Sequence, residues 1–364
     1  MNNITIVGEH CFGCTACEHI CPVGCITLSP DDKGFLLPVV DESACIECGL
    51  CLGACPYLGD GYPRSSEETL ALAAKHRDSS TRMHSSSGGA FTAISDSLLE
   101  QGGVLYGAAY DEAMKVRHMR CISKAQRDAL RGSKYVQSDL GQCYKEVEQD
   151  LKAGRRVLFT GTPCQVAGLR GYLGREYEQL LLVDLLCYGV PSPKVFADYV
   201  ADIEGQEGKR LLGCSFRNKS KGWRAMLMHL DFGSKSIFLD ASLSSYYALF
   251  LKGTILRPCC YECPFCSFDR PGDMTIGDFW GIEDTMPEFE DEKGVSLILV
   301  NSPKGKVAFQ AMANKLDHRQ SSRKAALQPA LSAPTPADKH SDAFWKEYTC
   351  FGYGYVVHKY GGAE

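Results

Sequence analysis

A chain of 364 residues with 45% apolar residues and a formal net charge of −5 has room for about two domains, since single cores rarely grow past roughly 250–300 residues. Its mild, scattered charge excludes the basic face of a nucleic-acid binder, and its most apolar run, LLLVDLLCYGV (180–190), carries Asp184 and falls well short of the ~20 residues of a membrane span. The start, MNNITIVGEHC, lacks the basic and apolar regions of a secretory leader, so a cytoplasmic protein with no nucleic-acid partner and no membrane span is expected.

Nineteen cysteines stand largely in tight C-x-x-C groups, which in a chain of this size points to metal rather than to disulfides. The first group is a duplicated run. CFGCTACEHICP places Cys11, Cys14, Cys17 and Cys21 before Pro22, and CIECGLCLGACP places Cys45, Cys48, Cys51 and Cys55 before Pro56. C-x2-C-x2-C-x3-C-P is the run of bacterial two-cluster ferredoxins, in which three thiolates on a tight loop cap one cubane and the fourth ligates the other. Cys11, Cys14, Cys17 and Cys55 are therefore expected on one [4Fe-4S] cluster, and Cys45, Cys48, Cys51 and Cys21 on the second. Zinc sites normally use two knuckles of two cysteines instead. Cys25 follows the fourth ligand too closely to join that geometry and reads as packing. DDKGFLLPVVD (31–41) reads as a turn, a short strand and a turn. So few apolar residues remain that the clusters also supply the folding energy. The expected boundaries are a ferredoxin-like domain over 1–62 and a linker over 63–84 with one helical stretch, SEETLALAAKHRD.

From 85 to 320 apolar runs alternate with helical periods, which predicts an α/β domain with parallel pairing. A Ser/Gly loop opens the helix of HSSSGGAFTAISDSLLEQG (84–102). There Ser86 and Ser87 offer hydroxyls, Gly88 and Gly89 permit close backbone approach, and the helix dipole favours an anion. Ser/Gly before a helix also serves as a plain cap, and G-x-G-x-x-G is not present. A strand is predicted at 102–111. LRGSKYVQSD (130–139) offers Lys134 as a pyrophosphate partner and Tyr135 as a stacking surface, or is a solvated loop. A helix over 138–154 and buried strands over 156–161 and 180–186 follow. Each of these two strands runs into a loop carrying a cysteine, Cys164 or Cys187, and ligands of open α/β sheets sit beyond the carboxyl ends of strands. Thr162–Pro163 and Ser192–Pro193 read as helix caps beside those cysteines.

Farther on, RPCCYECPFCSFDRPGD (257–273) holds Cys259, Cys260, Cys263 and Cys266. Asn218, Lys219 and Trp223 lie on a loop facing substrate or solvent. Arg270, Asp273 and Asp278 orient the cysteine loop or form surface ion pairs. Cys121, Cys143, Cys214 and Cys350 lack metal spacing and read as structural. The tail, 321–364, is Ala/Pro/Ser-rich before an aromatic end, FWKEYTCFGYGYVVHKY, suited to docking on its own domain.

SSSGGAF, RGSKYVQS, GTPCQVAGL, CYGVPSP, SFRNKSKGW, LRPCCYECPF and GDMTIGDFWG, in that order behind a two-cluster ferredoxin module, resemble the family of coenzyme F-420 hydrogenase/dehydrogenase beta subunits over essentially the whole chain to about Asn301. The resemblance implies FAD and one further [4Fe-4S] cluster in the main domain. The family's cluster cysteines match Cys164, Cys187, Cys260 and Cys263. Its flavin loops match Ser87, Gly88 and Gly89, then Gly132, Ser133, Lys134 and Tyr135, with Ser86 and Thr162 beside them. Cys260, Cys263 and Cys266 also form C-x2-C-x2-C, so this loop alone would cap three irons with Cys164 or Cys187 as the fourth ligand; a zinc knuckle at Cys260 and Cys263 is a further alternative. Cys259 is left as a spare.

The expected fold class is α+β / α/β, a small 2[4Fe-4S] ferredoxin-like domain followed by a mixed α/β flavin-binding domain with its own iron–sulfur site. The expected activity is that of an FAD-dependent iron–sulfur oxidoreductase. It moves electrons between [4Fe-4S] clusters and an organic hydride acceptor, either deazaflavin coenzyme F-420 or another unsaturated compound. Its partners are a small-molecule substrate and a redox protein such as ferredoxin or another oxidoreductase subunit. The motifs name no catalytic side chain. The alternative is a non-catalytic electron-transfer subunit of a larger reductase or hydrogenase complex.

Overall fold

The computed structural model describes residues 3–59 and 69–362. Its N-terminal module holds a short helix, Ala16–Ile20, a hairpin of β1 (Ile26–Pro30) and β2 (Leu36–Val40), and a helical turn, Leu50–Gly53. Ile26 pairs with Val40 and Pro30 with Leu36. The strand expected in DDKGFLLPVVD is thus β2; its partner β1, directly after the first cysteine run, carried no period-2 signal of its own. The module's private core is Ile4, Cys17, Cys25 and Ile26, so half of it is thiol.

The main domain is built on an eight-stranded sheet. Its strands are β3 (Leu70–His76), β4 (Val104–Tyr110), β5 (Val116–Cys121), β6 (Val157–Gly161), β7 (Leu180–Leu185), β11 (Met274–Asp278), β12 (Ser296–Val300) and β13 (Leu316–Ser321), in the order β13-β3-β12-β11-β7-β6-β4-β5. A separate three-stranded sheet, β10-β9-β8, uses β8 (Gly213–Asn218), β9 (Leu227–Asp231) and β10 (Ser236–Asp240). Strands β4, β6, β7 and β11 run parallel, as the alternation of strand and helix patterns predicts.

Alternate residues of the parallel strands divide the core in two. On one face Tyr106, Phe159 and Leu182 meet the helices Cys143–Lys152 and Pro163–Leu173, together with Phe12, Cys14, Ala16 and Ala54 of the module. On the other, Leu105, Leu158 and Val183 meet the helices Ala90–Leu99 and Pro303–Met312. Module and main domain thus share one apolar layer.

Three expectations change. The segment taken as a linker with a helical stretch contains β3, hydrogen-bonded on both sides to β12 and β13. LALAA has good helix formers, but Ala71, Ala73 and Ala74 are buried in the sheet, and tertiary pairing outweighs weak propensity; residues 60–68 lie outside the described residues. The helix expected over 138–154 is confined to Cys143–Lys152, because Asp139 pairs with β5 and its carboxylate accepts from Gly141 N. The tail forms the helices Ser341–Phe351 and Tyr353–Tyr360, whose Phe344, Trp345, Tyr348 and Val356 complete a core with Phe196, Tyr199 and Tyr246. The aromatic end docks on its own domain. Among the described residues no helix is long and apolar enough to cross a membrane.

Candidate functional site

The duplicated run folds twice in the same way. Gly13 (φ +65°) and Glu47 (φ +53°) occupy equivalent positions between the first two cysteines of each run, and Thr15 (φ +62°) and Gly49 (φ +73°) between the next two. Two left-handed residues in five curl the loop so that three thiols face inward. The non-glycine member of each pair carries the strain of that conformation, of order 1–2 kcal/mol. Each loop borders its own hollow. Cys11, Cys14, Cys17 and Cys55 line one of about 330 Å³, and Cys45, Cys48, Cys51 and Cys21 line another of about 350 Å³. These are the two sets of four that the spacing predicts. Cys25 also lines the second hollow, 3.5 Å from Cys21.

As bare thiols these groups crowd unfavourably. Burial, then the neighbouring Cys11 and Cys55, push Cys17 up to about 12; burial and Cys17 hold Cys14 well above its ordinary value. Cys55 and Cys51 are raised chiefly by burial. Four thiolates can share such a space only around cations, which is what a cubane's irons provide. The donor set therefore fits the group.

A third gathering lies at the carboxyl edge of the large sheet. Cys164 stands at the start of the helix after β6, with the Thr162 hydroxyl 3.2 Å from its sulfur. Thr162 N donates to Gln165 Oε1 at 3.0 Å, a capping contact that fixes this turn. Cys187 follows β7. Cys260 and Cys263 come from the opening 3₁₀ turn of the later loop, and Val190 N lies 3.5 Å from Cys260 Sγ. The four sulfurs feel one another: burial raises Cys164, to which Cys187, Cys263 and Cys260 add, and burial with Cys260 and Cys263 pushes Cys187 up to about 12. Cys266 is the hydrogen-bond partner that lowers Cys263 to about 7, and it also sits near Cys187. Cys259 is buried against Cys260. Among the described residues no three His, Cys, Asp or Glu converge as a single ion requires; the ligands of a cubane each take a separate iron.

Arg270 braces this loop. Its guanidinium pairs with Asp184 on β7 (2.5 Å) and donates to Phe265 O and Leu185 O. Both partners are wholly buried, so the alternative of a surface ion pair falls away. Asp273 is likewise internal, accepting from Leu182 N and the Ser302 hydroxyl.

The two loops matched to flavin binding meet at the same edge. Ser133 N and its hydroxyl donate to Ser86 Oγ at 2.8 and 3.0 Å, and Gly132 (φ +86°) is exposed beside them. Other members are committed to the fold. The Ser87 hydroxyl donates to Val295 O and Gly277 O. A Cβ at Gly88 would lie 2.3 Å from Ala74 O, so this glycine lets the loop approach β3. Gly89 (φ +93°) opens the helix Ala90–Leu99. Lys134 Nζ turns back to Ala129 O and Arg131 O, with its pKa lowered by burial to about 7. Tyr135 stacks on Phe250 at 4.7 Å. Lys219 clamps the serine loop, donating to Arg82 O, Ser87 O and Lys293 O.

Asp278, at the end of β11, accepts from Arg217 (2.7 Å) and from Trp223 Nε1 (2.6 Å), while Trp223 stacks on Trp280 at 4.9 Å. Arg217 also reaches the Tyr135 hydroxyl at 3.4 Å, and its Nε is buried without a partner. Arg217 was missed in the sequence. The signal was there, in SFRNKSKGW, but only the fold brings β8 onto the end of β11.

Comparisons with known proteins bear on both regions. The family described as the C terminus of the coenzyme F420 hydrogenase/dehydrogenase beta subunit matches residues 154–323, and "4Fe-4S dicluster domain" matches residues 10–58. The F-subunit of the F(420)H(2) dehydrogenase of Methanosarcina mazei is 24% identical over 189 residues, 49% of this chain and 53% of that protein; the chain thus spans about half the length of this relative. Ferredoxin-3 of Chlorobaculum tepidum is 39% identical over 56 residues, covering 14% of this chain and 82% of that one. A chain of the F420-reducing [NiFe] hydrogenase complex of Methanosarcina barkeri aligns over 82% of this chain and 92% of its own, at 15% identity and a TM-score of 0.48. The chain belongs to the oxidoreductase family of coenzyme F420 hydrogenase/dehydrogenase beta subunits and carries a 4Fe-4S dicluster domain at residues 10–58.

Proposed function

We propose that this chain is an FAD-dependent iron–sulfur oxidoreductase that moves electrons between [4Fe-4S] clusters and a small organic hydride acceptor, a deazaflavin or another unsaturated compound. The observation that carries the reading is the placement of Cys164, Cys187, Cys260 and Cys263. They gather at the carboxyl edge of the sheet, between the module and the loops of Ser86 and Gly132–Tyr135. [4Fe-4S] clusters supply single-electron steps, and FAD, when bound, joins these to two-electron chemistry.

The chain's own residues prepare the place. Thr162 and the Val190 N–H set hydrogen bonds toward sulfur, and such bonds tune cluster potentials. Arg270 and Asp184 hold the cysteine loop against β7. Ser86, Gly132 and Ser133 are the loop residues whose groups remain available to a flavin; Ser87, Gly88, Gly89 and Lys134 shape the loops instead. The helix Pro163–Leu173 links the two regions, since Cys164 begins it and Gly168, one turn on, lies against Cys14.

Iron and flavin per chain test the reading. Anaerobically reconstituted protein is expected to hold about 12 irons and one FAD, and Cys263→Ala to remove about a third of the iron and block flavin reduction by ferredoxin. Unchanged iron would sink the inner cluster. Full iron with no flavin would favour the second reading, a non-catalytic electron-transfer subunit, which the commitment of Ser87, Gly88 and Lys134 to internal contacts supports.

A further inference from the structure

Five arginines are buried: Arg82, Arg127, Arg217, Arg257 and Arg270. Four of them, Arg82, Arg127, Arg217 and Arg270, pair with a carboxylate: Asp291, Asp96, Asp278 and Asp184 respectively. Arg257 is the exception among the described residues, and at 1% exposure it is the most deeply buried of the five. Its guanidinium donates to neutral oxygens alone: Nε to Cys11 O at 2.6 Å, Nη1 to Gln137 Oε1 at 3.0 Å and Nη2 to Leu36 O at 2.7 Å. Phe35 lies 5.3 Å beneath it. A guanidinium does not shed its proton in a protein, and an uncompensated buried charge is strongly disfavoured. A balancing anion is required close by.

The first cysteine loop supplies the place for one. Besides the bond to Cys11 O, a Cβ at Gly13 would stand 2.7 Å from Arg257 Nη1, and Gly13 N points at Cys11 Sγ at 3.3 Å. One turn of backbone therefore separates the cation from the thiol set Cys11, Cys14, Cys17 and Cys55. The same residue anchors the inner thiols through its main chain. Arg257 N donates to Val190 O and Cys260 N to Arg257 O, both at 2.9 Å. Around the other module hollow, lined by Cys21, Cys45, Cys48 and Cys51, the lining residues include no Lys or Arg.

We propose that Arg257 is a positioning residue whose fixed positive charge is balanced by the cluster at Cys11, Cys14, Cys17 and Cys55, raising that cluster's reduction potential relative to its neighbour in the module while locking it to the inner cysteine loop. This rests on the cluster assignment above. Four thiolates outweigh the charge of an iron–sulfide core, and reduction adds one more negative charge. A buried cation beside the group favours the reduced form, so electrons arriving at the exposed Cys48 side run toward the inner site.

The test is a redox titration of the reconstituted full chain, with dithionite as the one-electron reductant and the two module signals followed by electron paramagnetic resonance. In Arg257→Gln the reduced-to-oxidised ratio of one module cluster at fixed potential should fall about tenfold, ~59 mV for a one-electron couple, with the other unmoved. Arg257→Lys keeps the charge without the fork and should stay near the wild-type value. Unmoved signals in a Gln variant with full iron, or equal movement of both clusters, would overturn the proposal. Should the Gln variant lose its iron, the Lys variant decides: a tenfold fall there means that charge is not the cause. Iron in Cys14→Ala separates the two claims, because unchanged iron means that the cluster assignment itself has failed.

Discussion

The module and the inner site present the same donor atoms on opposite supports. Eight module cysteines lie on two short stretches of chain, while Cys164, Cys187, Cys260 and Cys263 come from three segments far apart in sequence. In the module the thiols are themselves the core, with only Ile4 and Ile26 as buried aliphatic company. The inner thiols sit on a sheet that has packed without them, through Phe159, Leu182, Val183 and Ile276. A local run of ligands can thus build a domain around metal, whereas a dispersed set needs a domain first.

Removing metal should separate the two most strongly. With an iron chelator under reducing conditions, amide-exchange protection over 14–55 is expected to fall by ~100-fold or more, because the ligand energy is the module's folding energy. Amides of β4, β6 and β7 should keep their protection. A module that stays protected without iron would erase the contrast.

The inner support can be attacked through its brace. Arg270→Met leaves Asp184 charged and unpaired at the centre of the sheet, and breaking a buried pair in this way costs about 3–5 kcal/mol. The loss should appear as a lower denaturant midpoint of the main domain, together with iron loss at the inner site. Asp184→Asn with Arg270→Met should recover part of it, since no charge is then left alone. Equal stability of the single and double variants would deny the brace its role.

What was legible in the sequence follows the same division. The module's ligands could be read by counting, because cubane geometry is written into spacing and the two loops close on themselves. The inner set could be read only as halves: Cys164 and Cys187 from their place after buried strands, Cys260 and Cys263 through resemblance. Their meeting depends on β11 pairing with β7, a contact between segments distant in the chain that leaves no local trace. Arg257 was invisible for the same reason, because its partners Cys11, Leu36 and Gln137 are distant in the chain. Strand β3 was misread since alanines buried on both faces of a sheet resemble a helix more than an alternating strand.

The smallest expected effect lies at the seam between the two regions. Gly168 is in the middle of the helix Pro163–Leu173, where a glycine weakens a helix by roughly 1 kcal/mol relative to alanine. Its use is proximity: an added Cβ would stand 2.8 Å from both Cβ and Sγ of Cys14 and 2.9 Å from the Tyr144 hydroxyl. Gly168→Ala therefore gains helix propensity and loses fit, and overpacking a close contact costs about 1–3 kcal/mol. The net should be a modest destabilisation, within ~2 kcal/mol, felt by the docked module rather than by the sheet. Full iron content with slower reduction of the inner cluster by the module is the expected signature. A gain in stability with unchanged transfer would mean that Cys14 can move aside freely, and that the close approach at Gly168 does not set the path between the two regions.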